Sequence, residues 1–437
     1  MYKLKKLSKD EYENFVKNNP FKSHFLQSYA WGEFSKKNKN LKPYYLGLTN
    51  DKNKIVASAL LLEKHLPLNY SYFYSPRGFV LDYENEEIFK EMTNEIIKFV
   101  KKHKGIFLKI DPDIIRKSYN YKDEVNNLEY NPDKIFKMIT KNGFKHLGFT
   151  KNFETMQPRY TFRIDLNQSL EEIESHFSKT TKQRINKAQK LKTIVEIGKE
   201  EDLDEFYHLM TLTEERKDFV SYSKEYYKNL YKIFNEDNKM TLFLGKVNLN
   251  TILEDLNKRK IEINDALKEI PTENLSKSAK NKQKELIRQL DKLKLDIEKY
   301  EKYKKEYGEK ITLNAHMIIE YGDKAWVLYA GNHNILTETY ANYNTYLEHL
   351  KFCKNRGLKI YDQFGTIGDL RKENPRMGLH EFKKKFGGDY IEFLGEFDYI
   401  TNKFMYFVFT KLVPLYRKII RNKTKKEIKH EIKGNRW

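Results

Sequence analysis

The stretch Gly378–Ile400, "GLHEFKKKFGGDYIEFLGEFDYI", sets three lysines, Lys383 to Lys385, between Phe382 and Phe386. Two glycines follow, and then a strand-like apolar run. A plain surface loop needs neither aromatic rings nor paired glycines around its cations. Glycines at 387 and 388 imply a close backbone approach, because only glycine brings no Cβ to such a contact. The stretch therefore reads as a cationic cluster pressed between aromatic rings, beside a backbone that only glycine can make and ahead of a strand-like run.

Outward from it, the chain alternates strands with helices. "YYLGLT", "IVASALLLEKHL" and "GIFLKIDPDI" have strand composition, and "EEIFKEMTNEIIKFVKKH" has helical period. The pattern repeats from Gln157: "RYTFRIDL", then the helical "SLEEIESHFSKTTKQRINKAQKL", then "TIVEIG" and "MTLFLGKV". "ITLNAHMIIEYGDKAWVLYAG" reads as a hairpin closed at Gly322-Asp323. The expectation is two mixed α/β domains of similar plan. Boundaries are expected at 1–153 for the first, 154–245 with 309–400 for the second, 246–308 for an insertion and 401–437 for a tail.

In the insertion, Leu249, Ile252, Leu256, Ile263, Leu267 and Ile270 step by threes and fours, broken once at Arg259/Lys260. Leu286, Leu290, Leu293, Ile297, Tyr300 and Tyr307 do the same beyond Pro271. Two charged helices with such seams predict an antiparallel coiled-coil hairpin. From Asn402 to the end, eleven Lys or Arg face two Glu, after the apolar run "KFMYFVFTKLVPLYRKII". That arrangement suits either an anionic bilayer surface or a core helix with a basic tip.

With 437 residues, formal charge +20 and 14% aromatic residues, the chain has ample core and favours anionic partners. An AT-rich coding bias toward lysine is the alternative source of that charge. The single cysteine, Cys353, excludes an internal disulfide and sits in an amphipathic helical pattern. "MYKLKKLSKDEY" lacks the apolar core of a signal peptide, so a cytoplasmic location is expected. No phosphate-binding loop, dinucleotide fingerprint, zinc-binding motif or serine-hydrolase elbow occurs.

Three stretches look built for a site. "KIDPD" ends a buried strand with Asp111 and Asp113, either ligand-facing or capping. Lys182, Arg184, Lys187 and Lys190 form a helical row able to hold phosphates, or a solvated face. "YDQFGTIGD" places two glycines after a strand, where backbone N–H groups could meet an anion.

Together with "FLQSYAWGEFSKK", "INKAQK" and above all "GLHEFKKKFGGDYIEFLGEFD", these stretches make the chain resemble the FemABX family of peptidoglycan bridge-building aminoacyl and peptidyl transferases, over nearly its whole length. The resemblance implies an α+β fold of two GNAT-like domains side by side, with the hairpin insertion of some members. It implies transfer of glycine, alanine or serine from aminoacyl-tRNA to the stem peptide or growing bridge of a lipid-linked or nucleotide-linked precursor. No cofactor beyond that co-substrate is implied. By the same resemblance, Lys383 and Asp111 are catalytic candidates, and Lys36, Arg216, Tyr226 and Tyr329 acceptor-binding candidates. Lys182, Arg184 and Lys187 stand as tRNA or phosphate contacts. Peripheral contact with the inner membrane face and association with related transferases are further expectations. Two other readings fit parts of the chain. An acyl-CoA-dependent N-acyltransferase would need a pyrophosphate loop, which "QFGTIG" does not match. A non-catalytic coiled-coil nucleic-acid-binding protein would leave the Phe-Lys-x-x-Phe-Gly-Gly stretch without a purpose.

Overall fold

The computed structural model describes residues 2–19, 24–217, 221–271 and 276–413. By its internal contacts the chain forms two units. The first comprises 1–162, 364–380 and 389–437, and the second 163–363 and 381–388.

The first unit is built on a seven-stranded sheet. Its order is Lys3–Lys6, Lys42–Thr49, Ile55–Leu66, Tyr70–Ser75, Gly105–Ile110, Phe397–Ile400, Phe144–His146. One neighbouring pair is parallel, Tyr70–Ser75 with Gly105–Ile110. The helix Glu86–Lys102 makes that crossover. It buries Phe89, Met92, Ile96 and Val100, a stripe at helical spacing, against Leu61, Phe73 and Leu108 of the sheet core. The parallel strand ends at Ile110, so Asp111 leaves the sheet at a carboxyl end, where ligands gather in α/β folds.

The second unit has a sheet ordered Tyr160–Asp165, Ile360–Asp362, Lys324–Asn332, Lys310–Tyr321, Met240–Asn248, Ile194–Gly198, with Arg163–Asp165 making the first pairing. The expected hairpin is present, turning at Gly322 with φ +59°. Helix Ala341–Asn355 covers one face and buries Tyr346, Leu350 and Cys353. Cys353 is completely buried, and burial pushes its thiol pKa up, as fits a core residue and not a nucleophile.

Between Met240–Asn248 and Lys310–Tyr321 stand the helices Leu249–Lys268 and Lys277–Tyr307, packed on each other. Leu249, Ile252 and Leu253 meet Ile297 and Tyr300 in one cluster at the base. Tyr307, expected in the seam, is 40% exposed instead.

The expected domain boundaries need one correction. Residues 154–162, 364–380 and 389–400 belong with the first unit. The reason is strand pairing: Phe397–Ile400 hydrogen-bonds to Gly105–Ile110 and to Phe144–His146, and Asp389–Phe393 to Ile115–Tyr119. Local periodicity cannot reveal such long-range partners. Of the tail, Lys403–Phe407 is α-helical, and 414–437 lie outside the described residues. Among the described residues, no helix is long and apolar enough to cross a membrane.

Candidate active site

In the first unit, Asp111 is 2% exposed. The backbone N–H of Arg77 donates to its Oδ1 at 2.7 Å, and the Tyr74 hydroxyl to its Oδ2 at 3.0 Å. Burial raises its pKa to about 7, against the pull of Arg77. Arg77 is itself anchored: its guanidinium donates to the Pro158 carbonyl at 2.6 Å and lies 4.4 Å over the Phe393 ring. The turn that carries it is pinned by buried Gln27, which donates to the Pro76 carbonyl at 2.5 Å. The sequence singles out Asp111 but not the turn at Arg77 that donates to it. The Ser75–Arg77 turn and Asp111 meet only because their strands are parallel neighbours. Asp113, the second carboxylate of "KIDPD", is 5% exposed. Lys36 lies on helix Tyr29–Lys39, exposed, with its ammonium 3.9 Å from Glu33.

In the second unit, Lys383 ends the helix Met377–Lys384 and is 7% exposed. Its ammonium donates to the Gln363 carbonyl at 2.7 Å, and the Gln363 amide donates back to the Lys383 carbonyl at 3.1 Å. Burial lowers its pKa to about 7, although Asp362 favours the charged form. Asp362 is itself committed to Arg163 at 2.8 Å. Phe382 and Phe386 pack with Tyr343 and Tyr346 on either side. Of the three adjacent lysines, Lys383 is the buried one.

The paired glycines now have their reason. A Cβ at Gly387, where φ is +71°, would lie 2.6 Å from the His176 carbonyl oxygen. One at Gly388 would lie 2.8 Å from that of Arg163. Both glycines let the turn press on neighbouring backbone and so fix the lysine's helix end. Gly387→Ala is expected to cost about 2 kcal/mol or more, since the clash and the left-handed φ add. Thermal unfolding checks this, and an unchanged Tm would refute the packing argument.

Tyr226 and Tyr329 come together, their hydroxyls 3.0 Å apart, with Tyr222 stacked on Tyr226 at 3.9 Å between ring centres. Arg216 is exposed and donates to the Asn332 carbonyl at 3.4 Å. The basic row on helix Lys179–Lys190 divides. Lys182 turns back to the Ser175 carbonyl at 2.9 Å. Arg184 and Lys187 instead lie 5.2 and 5.3 Å over the Tyr340 ring, and Arg184 also donates to the Tyr343 hydroxyl.

Chemically, each unit thus holds one buried ionisable group whose pKa is brought to about 7 from opposite directions. A carboxylate there can take a proton, and an ammonium there can stabilise a developing negative charge.

The chain is 29% identical to "Aminoacyltransferase FemA" of Staphylococcus aureus (strain MRSA252) over 416 residues, covering 94% of this chain and 98% of that protein. FemA of strain MW2 matches at 28% over the same shares. Among solved structures, the "Crystal structure of FemX" superposes with TM-score 0.74 at 27% identity, covering 92% of this chain and 98% of that one. The FemAB family model matches residues 7–413. The chain belongs to the FemAB family.

Proposed function

We propose that the protein is an aminoacyltransferase that moves glycine, alanine or serine from charged tRNA to an amine of a muramyl-peptide precursor, on the stem peptide or the growing bridge. The amine attacks the ester carbonyl. A C–N bond forms, the C–O bond to the terminal ribose breaks, and the leaving ribose oxygen takes up the proton given up by the amine to become a hydroxyl. The ester is already activated, so the protein's task is to orient the reactants, accept the amine's proton and steady the oxyanion. Asp111 takes the proton and Lys383 meets the oxyanion. Lys36, Arg216, Tyr226 and Tyr329 serve the acceptor, and Lys182, Arg184 and Lys187 the RNA. The single observation that carries this reading is the buried Lys383 held on the Gln363 carbonyl with its pKa near neutrality. The reaction belongs in the cytoplasm, with peripheral contact at the inner membrane face when the acceptor is lipid-linked, and with association among related transferases as the bridge grows.

The test is a transfer assay with tRNA charged separately with labelled glycine, alanine or serine, and with lipid-linked or uridine-diphosphate-linked precursor. Label in the precursor with one amino acid is the expected result. No label in any combination, with active control enzymes alongside, would overturn the assignment.

A further inference from the structure

The described chain of the first unit ends on a helix with two different faces. Lys403–Phe407 is α-helical and Val408–Leu412 continues it as a π-helical turn. Asn402 caps it, its side chain accepting from the Met405 N–H at 3.0 Å. The inner face is fixed to the sheet. The Tyr406 hydroxyl donates to Asp398 Oδ2 at 2.8 Å, and the Phe409 ring lies 5.4 Å from that of Tyr72 and 5.9 Å from that of Phe107. With Tyr406 and Phe409 turned inward, their neighbours turn out. Phe404 is 74% exposed, Phe407 54% and Leu412 45%, and Lys403 and Lys411 are exposed beside them. Single exposed apolar side chains are ordinary. Two phenylalanines and a leucine on the outer side of one short helix form a patch of the kind that marks an interaction surface.

Charge narrows the partner. Residues 403–413 include no Asp or Glu, and residues 414–437 add nine Lys or Arg against two Glu directly after the patch. A second copy of the chain would bring these cations against their own kind. A nucleic-acid backbone would answer the charge but offer Leu412 and the outward rings no apolar phase to enter. An anionic bilayer answers both features at once. Its acyl boundary takes the apolar side chains, and its headgroups take the lysines, whose stems let the ammonium groups reach them. Among the described residues no helix is long and apolar enough to cross a membrane, so such a helix would lie in the interface and not span it.

We propose that the outer face of helix 403–412 docks the protein on an anionic lipid bilayer. Phe404, Phe407 and Leu412 enter the boundary between headgroups and acyl chains, while Lys403, Lys411 and the cations beyond them meet the headgroups. The docking surface deepens the transferase reading above and rests on it for one consequence, that the acceptor served from this surface is lipid-linked. The fold of the first unit supports that consequence. Lys64 and Tyr72 are cross-strand partners, so their side chains leave the same face of the sheet. The Lys64 ammonium donates to the Lys39 carbonyl at 3.4 Å, at the end of helix Tyr29–Lys39. Tyr72 carries Phe409. The helix bearing the acceptor-binding candidate Lys36 and the docking helix therefore cover one face of one sheet, and a membrane-held diphosphate approaches Lys36 from the docked side.

The test is vesicle co-sedimentation of the full chain without substrates, at one fixed salt concentration. Vesicles of phosphatidylglycerol and phosphatidylcholine in equal parts are compared with phosphatidylcholine alone. The anionic vesicles should bind about tenfold or more tighter, and the preference should shrink as salt is raised. The double variant Phe404→Ser/Phe407→Ser should lose about tenfold or more of that affinity, because two rings no longer leave water. Its Tm should hold, since both positions are exposed. In Phe404→Trp, lipids brominated in their acyl chains should quench emission beyond the parent's own response. Equal binding to the two vesicle types, a double variant that binds like the parent, or no added quenching would each overturn the proposal. So would a loss of affinity for a hairpin RNA in place of vesicles, which assigns the patch to nucleic acid, or a parent dimer that the two serines abolish, which assigns it to a second copy. Transfer assays keep the readings apart. The double variant should lose transfer to lipid-linked precursor in vesicles and keep transfer to the uridine-diphosphate-linked form. Vesicle binding without transfer from any charged tRNA removes the transferase reading alone, and transfer without vesicle binding removes the docking surface alone.

Discussion

Lys383→Met is expected to lower aminoacyl transfer by about 10²–10³-fold, the loss typical of removing one oxyanion-stabilising donor. The change keeps the side chain's length and apolar stem, so the packing of Phe382 and Phe386 should survive. Its effect on stability should depend on pH in a defined direction. The folded pKa is lowered from 10.5 to about 7. Between those values the unfolded chain holds the proton and the folded chain does not. Stability of the parent therefore rises with pH across that window, and the cost of burying the ammonium is full below about 7. Methionine removes that cost, so variant minus parent should be most favourable near pH 7 and shrink toward pH 10.5. The bare Gln363 carbonyl offsets part of the gain by about 1–3 kcal/mol, so the slope is the diagnostic quantity and not the absolute difference. Urea unfolding at several pH values measures it. A flat difference would mean that Lys383 is not held neutral by burial, and activity lost only in step with folding would remove its catalytic role.

Asp111→Asn is the second large effect, and its stability profile should tilt the other way. Transfer should fall by about 10²–10⁴-fold, the range for losing a general base. Asparagine can keep both contacts, accepting from the Arg77 N–H and donating to a reoriented Tyr74 hydroxyl. The aspartate's folded pKa is raised from 3.8 to about 7. Between those values the folded chain binds the proton that the unfolded chain has released. Stability of the parent is thus greatest below 3.8 and falls as pH rises to about 7. Variant minus parent should grow across that window and then level off. In the parent, transfer should follow a narrow bell centred near neutrality, with ionised Asp111 needed on the acid side and protonated Lys383 on the alkaline side. The asparagine variant should lack the limb due to Asp111, and the methionine variant that due to Lys383. An unaltered acid limb in Asp111→Asn would assign the proton to another acceptor, such as the substrate itself.

Both replacements pair lost activity with relieved burial cost. That is the pattern expected where a fold holds ionisable groups at pKa values its own stability does not favour.

Much of this protein was legible locally. The strands and helices followed from periods of 2 and 3.6, because burial on one face imposes those repeats on any chain. The hairpin at Gly322, the helix pair of the insertion and the burial of Cys353 came from the same source. Lys383 and Asp111 were picked out by motif register and by a strand end. Their environments were not legible. Lys383 and Asp111 are shifted chiefly by burial, against the opposing pull of Asp362 on the first and of Arg77 and Tyr74 on the second, surroundings brought in from other elements by the fold. The basic row on Lys179–Lys190 read as one face, yet packing against Tyr340 and Tyr343 separates Arg184 and Lys187 from Lys182. The assignment of 364–380 and 389–400 to the first unit likewise depended on the pairing of Phe397–Ile400 with Gly105–Ile110. Periodicity records how each residue is buried within its own element. Desolvation, strand partners and the charge facing a buried group are set by residues far away in sequence, so the tertiary structure alone decided which lysine is buried and which carboxylate is raised toward neutrality.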